Sequence, residues 1–143
     1  MNAFIKREHD YALRISAYLA GISNRAVAPI STISSLLSIS RPFATKIIFR
    51  LKKSGFVGTV QGKDGGVFLT KLPTEISLLD ILVAVGFKSR LNECMNPDFH
   101  CPMIQECKLY HFFEGQEQQL LQALRDTKIS DVAFTNTDLH QKT

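Results

Sequence analysis

Hydrophobic positions recur at helical spacing along the first third of the chain. Tyr11, Ile15, Tyr18, Leu19 and Ile22 share one face, and Gly21 lies where such a helix would end, which predicts a helix over about residues 9–21. After Pro29, the run STISSLLS brings Ile33, Leu36 and Leu37 together, giving a short helix of about two turns. In SISRP, the Ser40 hydroxyl is placed to cap the next helix, and Pro42 sits in the first turn, where its missing N–H costs no intrahelical bond. Ala44, Ile47, Ile48 and Leu51 keep the i, i+3, i+4, i+7 spacing until Gly55 stops the helix. The opposite face of this third helix carries Pro42, Thr45, Lys46, Phe49, Arg50 and Lys53.

The period then changes. FVGTV and VFLT read as two short apolar strands, and the intervening QGKDGG supplies Gly62, Gly65 and Gly66 for the positive φ angles of a hairpin, with Lys63 at its tip. Two short helices joined by a tight turn form a helix-turn-helix, whose second helix enters the major groove of DNA. The hairpin after it makes a winged helix, with the wing along the phosphate backbone or in the minor groove. Ser40, Arg41, Thr45 and Lys46 occupy the positions from which bases would be read. A helical interaction module with a merely solvated basic face is the competing reading of the same pattern.

Further along, Ser77 and Asp80 resemble a capping box, Leu78, Ile81, Leu82 and Val85 form the stripe of a fourth helix, and Gly86 terminates it. From about Glu106 to Arg125 another helix is expected, with Phe112, Phe113, Leu120, Leu121 and Leu124 as its apolar set. Some twenty residues make about 30 Å of helix, more than so small a domain needs for its own core, so the stripe predicts a homodimer. From about Val132 to Thr143 the chain is polar without periodicity, which predicts a frayed tail. The expected architecture is mostly α with a small β-hairpin. It divides into a winged helix-turn-helix over residues 1–75, a cysteine loop and dimerisation helix over 76–130, and a tail over 131–143.

Composition narrows the functional classes. A chain of 143 residues with 45% hydrophobic and 21% charged residues forms one domain with a real core. A net charge of +4 and a pI near 9.1 are a mild basic bias, but Arg41, Lys46, Arg50, Lys52, Lys53 and Lys63 concentrate it in the first half. After Arg90 the chain is acidic or neutral, so a polyanion-binding part is joined to a part with other duties. No stretch approaches the roughly 18 consecutive apolar residues of a membrane helix, and MNAFIKREHD lacks the apolar region of a signal peptide. The expected location is therefore cytoplasmic, with no membrane partner. Structural disulfides are rare in that compartment.

Against that background the three cysteines stand out. Cys94, Cys101 and Cys107 all fall within CMNPDFHCPMIQEC, a fourteen-residue run that also holds Pro97, His100 and Pro102. The segment reads as a loop wrapped around a ligand, and an odd count leaves one thiol over from any disulfide. A metal site is the first reading. Structural zinc held by the three thiolates with His100 or His111 is a rival, and a reversible disulfide between two cysteines is another. A cysteine nucleophile with His100 or His111 as base would need an oxyanion hole or paired carboxylates, and no such motif is present, so an enzyme is not expected.

Taken in order, HDYALR, ISRPFATKIIFRLKKSGFV, QGKDGGV, EISLLDILVAV and the three cysteines resemble the iron-sulfur-sensing winged-helix repressor family. That family includes the cluster-assembly regulator IscR, the nitric oxide sensor NsrR and the iron regulator RirA, and the pattern is nearest to the NsrR type. The resemblance covers almost the whole chain. It implies a homodimeric DNA-binding regulator, in the main a repressor, whose grip on a palindromic operator is switched by an iron-sulfur cluster sensing nitric oxide, iron or redox status. Cys94, Cys101 and Cys107 would hold a 4Fe-4S or 2Fe-2S cluster, soft thiolates being suited to it.

For a fourth ligand, IscR-like members have a His three residues after the third cysteine, where this chain has Tyr110, with His111 beside it. NsrR-like members use an Asp at the start of the first helix, from the other subunit, and Asp10 matches it, with His111, His9, His100 and Glu8 behind. Asp10 also suits the positive end of a helix dipole without any metal. The resemblance makes Ser40, Arg41, Pro42, Phe43, Thr45, Lys46, Arg50, Gln61, Gly62 and Lys63 the DNA-contacting set, with Lys52 neutralising phosphate. Gln61 stands where the family often has Arg, and Thr45 where it often has Glu, which implies an operator other than the one IscR reads.

Overall fold

The computed structural model describes residues 4–22, 26–91, 93–95, 98, 100–103 and 106–138. Helix α1, Arg7–Gly21, is the strut of the fold: it buries Ala12, Ile15, Tyr18 and Leu19 and packs against the second, third and fourth helices, the second strand and the turn at Ile129–Val132. It begins two residues before the expected start because Lys6 caps it, its amide donating to His9 Nδ1 at 3.2 Å. α2 spans Ile30–Leu37 and α3 spans Arg41–Lys53. The turn between them places Ser38 in the left-handed region at φ 55°, a conformation more often given to glycine. The Ile39 amide donates to Ser34 O at 3.0 Å and the Ser34 hydroxyl donates to the Ile39 carbonyl, so local bonds and the burial of Ile39 hold this turn.

Strands β1, Val57–Val60, and β2, Gly66–Leu69, pair antiparallel in the register Val57 with Leu69 and Val60 with Gly66. Ala28 bridges to Val67 through two reciprocal backbone bonds of 2.8 Å, which pins the hairpin to the segment leading into α2. Of the three wing glycines, Gly62 and Gly66 have the expected positive φ, at 104° and 157°, while Gly65 does not; space also restricts Gly65 and Gly66. A Cβ on Gly65 would lie 2.1 Å from Val60 O, and one on Gly66 would lie 2.3 Å from Ala28 O.

α4, Leu78–Ala84, carries the expected capping box: the Asp80 amide donates to Ser77 Oγ and the Ser77 amide to Asp80 Oδ2, both at 3.0 Å. α5 runs Lys108–Asp126, packs on α4, and has no buried residue. Two features lie beyond it. Val132 to Asp138 is not a loose tail: Ile129 is fully buried in the main core, the Phe134 amide donates to Ala17 O at 3.4 Å, and the Phe134 ring lies 6.0 Å from that of Tyr18. Within that polar segment Phe134 is the apolar anchor. Residues 139–143 lie outside the described residues. The core also ignores the division expected at residue 75, since Ile76, Ile81, Val85 and Ile129 belong to one buried cluster with Ile15, Ile33 and Ile47.

Candidate nucleic-acid interface and cysteine loop

Ala44, Ile47, Ile48 and Leu51 bury one side of α3 and leave Arg41, Pro42, Thr45, Lys46, Phe49, Lys52 and Lys53 exposed on the other. Ser40 occupies the cap position through its carbonyl, which accepts from the Ala44 amide at 2.9 Å, but its hydroxyl makes no cap bond. Pro42 removes the second-position N–H, one of the two that a cap hydroxyl takes. The exposed Ser40 hydroxyl therefore remains open to an outside partner. The Thr45 hydroxyl donates back to Arg41 O at 2.9 Å, leaving its oxygen lone pairs and methyl for contact.

Phe43 and Arg50, seven residues apart and so on one flank of the helix, turn toward α1 and away from the exposed face. The Phe43 ring meets Tyr11 edge-on at 5.6 Å. Arg50 is half-buried, with Nη1 3.8 Å from Glu8 Oε2 and its guanidinium against Gly86. Helical spacing put Arg50 on the outer face and the resemblance put Phe43 in the DNA-contacting set, and neither names these partners. Phe49, in turn, was absent from the DNA-contacting set although it is 66% exposed at the centre of the face. A large apolar side chain on a polar stripe is the signal that marks it.

The wing approaches the same end of α3. Gln61, Gly62 and Lys63 are exposed and line one groove with Arg41, Ser31 and Thr59. Lys52 Nζ donates to Thr59 Oγ1 at 2.8 Å, so this lysine also braces the wing against the recognition helix. Helix and wing thus present Arg41, Lys46, Lys53 and Lys63 to solvent together.

The thiol region lies between α4 and α5. Cys94 sits in a 3-10 turn, Glu93–Met95, and Cys107 is the cap residue of α5, its carbonyl accepting from the His111 amide at 3.2 Å. All three cysteines are half-buried and no disulfide joins them. His100 and His111 are exposed, and the His111 ring meets Tyr110 edge-on at 5.6 Å. Pro97 and part of the loop lie outside the described residues. Ser89 Oγ donates to Glu117 Oε1 at 2.8 Å, tying the loop's first residues to α5.

The donor chemistry fits a thiophilic metal centre: three accessible thiols within one short loop. Among the described residues, however, no group of three His, Cys, Asp or Glu side chains is gathered closely enough to hold a metal ion. Asp10 lies on the surface of α1, 44% exposed, paired with Arg14 Nε at 2.9 Å. His9 is buried, with Nδ1 taken by the Lys6 amide and its ring 5.4 Å from Phe87, and desolvation pushes its pKa below the usual histidine value. It is a structural cap, unsuited to ligation without loss of that bond. Glu8 is likewise engaged with Arg50.

Among the described residues no helix is long and apolar enough to cross a membrane. Three comparisons bear on the chain as a whole. It is 30% identical to the HTH-type transcriptional regulator NsrR of Bacillus licheniformis over 133 residues, which is 92% of this chain and 93% of the relative. The structure of CymR, the global cysteine regulator of B. subtilis, superposes with a TM-score of 0.72 at 19% identity, covering 90% of this chain and 95% of that one. T. potens IscR superposes with a TM-score of 0.68 at 20% identity, covering 89% of this chain and 83% of that one. The family model for Rrf2, described as an iron-dependent transcriptional regulator, matches residues 5–135, so the chain belongs to the Rrf2 family.

Proposed function

We propose that this DNA-binding transcriptional regulator acts as a homodimeric repressor, reading a palindromic operator with paired α3 helices and wings, and that the state of its three cysteines sets operator affinity. Its relatives are regulators of transcription and not enzymes. The observation that carries the reading is the exposed face of α3, with Ser40, Arg41, Thr45, Lys46 and Phe49 outward and the wing's Gln61 and Lys63 beside the same helix end. Arg41 and Lys46 supply groups suited to guanine edges or phosphate, while Gln61 pairs better with adenine than an Arg would. The second support is α5. It has no buried residue, and Leu109 and Phe112 are 66% and 57% exposed, which suits a second copy packed along it.

Cys94, Cys101 and Cys107 would hold an iron-sulfur cluster, with Asp10 of a second copy as the fourth ligand; the exposed position of Asp10 supports its use between protomers. When bound, such a group supplies a centre reactive toward nitric oxide, oxygen and iron supply. The chain's own part is mechanical: a change at the thiols acts on the loop joining α4 to α5, and through Ser89 and Glu117 on the helix offered to the partner. That in turn alters the spacing of the two α3 helices against their half-sites. A thiol switch without metal is the second reading, supported by three half-buried thiols within one short loop. The fold is shared with CymR and with IscR alike.

Purification without oxygen, followed by visible absorption and assay of iron and acid-labile sulfide per chain, separates the readings. Broad visible absorption with iron matched by sulfide supports the cluster. Zinc would reduce the cysteines to a structural site. A colourless, metal-free protein whose thiols pair reversibly supports the thiol switch.

A further inference from the structure

We infer that Arg7 is a phosphate-binding residue, gripping the DNA backbone on the side of α3 opposite the wing. The inference rests on the DNA-reading role proposed for α3. Arg7 is the first residue of α1, exposed, at a helix end whose dipole disfavours a cation. Helix stability therefore does not account for it. Nor does pairing: the two acidic residues of that turn are held elsewhere, Glu8 by Arg50 at 3.8 Å and Asp10 by Arg14 at 2.9 Å, and Arg7 makes no ion pair among the described residues.

Its position completes the argument. Arg7 and Tyr11 line a groove with Ser38, Ile39, Ser40 and Phe43, running from α1 to the first residue before α3. Tyr11 is held there by its edge contact with Phe43 at 5.6 Å. Ser40 leads directly into Arg41, which lines the other groove, with Lys63. The amino end of α3 is thus flanked by a cation on each side, Arg7 by α1 and Lys63 on the wing. A helix seated in a major groove roughly 12 Å wide has a phosphate strand on either side of it. The wing serves one strand and Arg7 the other, with the uncapped Ser40 hydroxyl between them.

The test uses fluorescence anisotropy on two duplexes: one selected from a randomised pool by the wild-type protein, and a scrambled version of it. Arg7→Ala is expected to weaken binding to both by the same factor, roughly 3- to 10-fold, and to lower the salt slope by about 0.9 per protomer. Arg7→Lys should restore the slope, because a phosphate contact needs the charge more than the fork. Lys46→Ala serves as the comparison and should weaken the selected duplex more than the scrambled one. Wild-type affinity and slope in Arg7→Ala, with selection lost in Lys46→Ala, would overturn the inference and leave the reading helix standing. Failure of the wild-type protein to select any duplex would instead remove the proposed function on which the inference rests. Circular dichroism and thermal midpoint should not fall in Arg7→Ala; a fall matching the loss of binding would assign Arg7 a structural role and overturn the inference.

Discussion

Gly66→Ala probes the joint on which the wing depends. A Cβ at this position would lie 2.3 Å from Ala28 O and 2.5 Å from Ala28 C, backbone atoms that cannot swing aside as a flexible side chain would. Relief requires the hairpin to part from residues 26–29, which breaks the reciprocal Ala28–Val67 bonds of 2.8 Å. Each such bond contributes about 1 kcal/mol net. Exposing the buried Val67 side chain adds about 1.5 kcal/mol. The expected loss is therefore about 3–4 kcal/mol, a large share of the roughly 5–15 kcal/mol of a typical domain. Urea denaturation followed by circular dichroism should show the midpoint falling by roughly 1.5–2 M if m is near 2 kcal/mol/M. Gly62→Ala is the internal comparison. Its Cβ would meet nothing within 4 Å, so only the φ of 104° is costly, at about 1–2 kcal/mol. If Gly66→Ala unfolds at the wild-type midpoint, or no earlier than Gly62→Ala, the wing is not pinned at Ala28 as described.

Ser77→Ala removes the hydroxyl of the α4 capping box and should cost about 1 kcal/mol. Calorimetry should register this as a thermal midpoint lower by roughly 3–5 °C. Phe112→Ala, acting twice in a symmetric pair, should weaken self-association by about 2–3 kcal/mol, roughly 30- to 150-fold in dissociation constant. Sedimentation velocity across a concentration series measures it, and an unchanged dimer would place the interface elsewhere. Because burial lowers the pKa of His9 below its value of 6.5 in the unfolded chain, the unfolded state binds its proton more readily. The stability that neutral His9 contributes is present above pH 6.5 and is lost as pH falls through that value toward the lower folded pKa. Denaturation at pH 7.5 and 5.5 should show wild type losing more stability on acidification than His9→Asn, and equal losses would contradict the assignment.

Periodicity carried most of the fold. Ile47, Ile48 and Leu51 announce α3, and Ser77 with Asp80 announces α4, because those signals lie within a few residues of one another. What failed did so through contacts distant in sequence. Arg50 is withdrawn from the reading face by Glu8 and Gly86, partners on two other elements that no local pattern names. Phe134 reaches Ala17 and Tyr18 from a segment whose composition is polar, so one apolar anchor outweighs the average. Gly65 and Gly66 were legible as wing glycines, but the space that restricts them, against Val60 and Ala28, required the tertiary arrangement. At the cysteines, spacing alone marked a candidate site, since three thiols in one short loop need an explanation whatever the fold. Which group they serve depends on how the loop closes and on a second copy, neither of which spacing encodes.

If thiol state sets DNA affinity, the affinity for a selected duplex should differ before and after treatment of the anaerobically purified protein with nitric oxide. Wild-type affinity should change by roughly 5- to 150-fold, the range of an allosteric coupling of about 1–3 kcal/mol, while Cys101→Ala should bind with one affinity under both conditions. Equal wild-type affinity before and after treatment, with Cys101→Ala indistinguishable from it, would contradict the account.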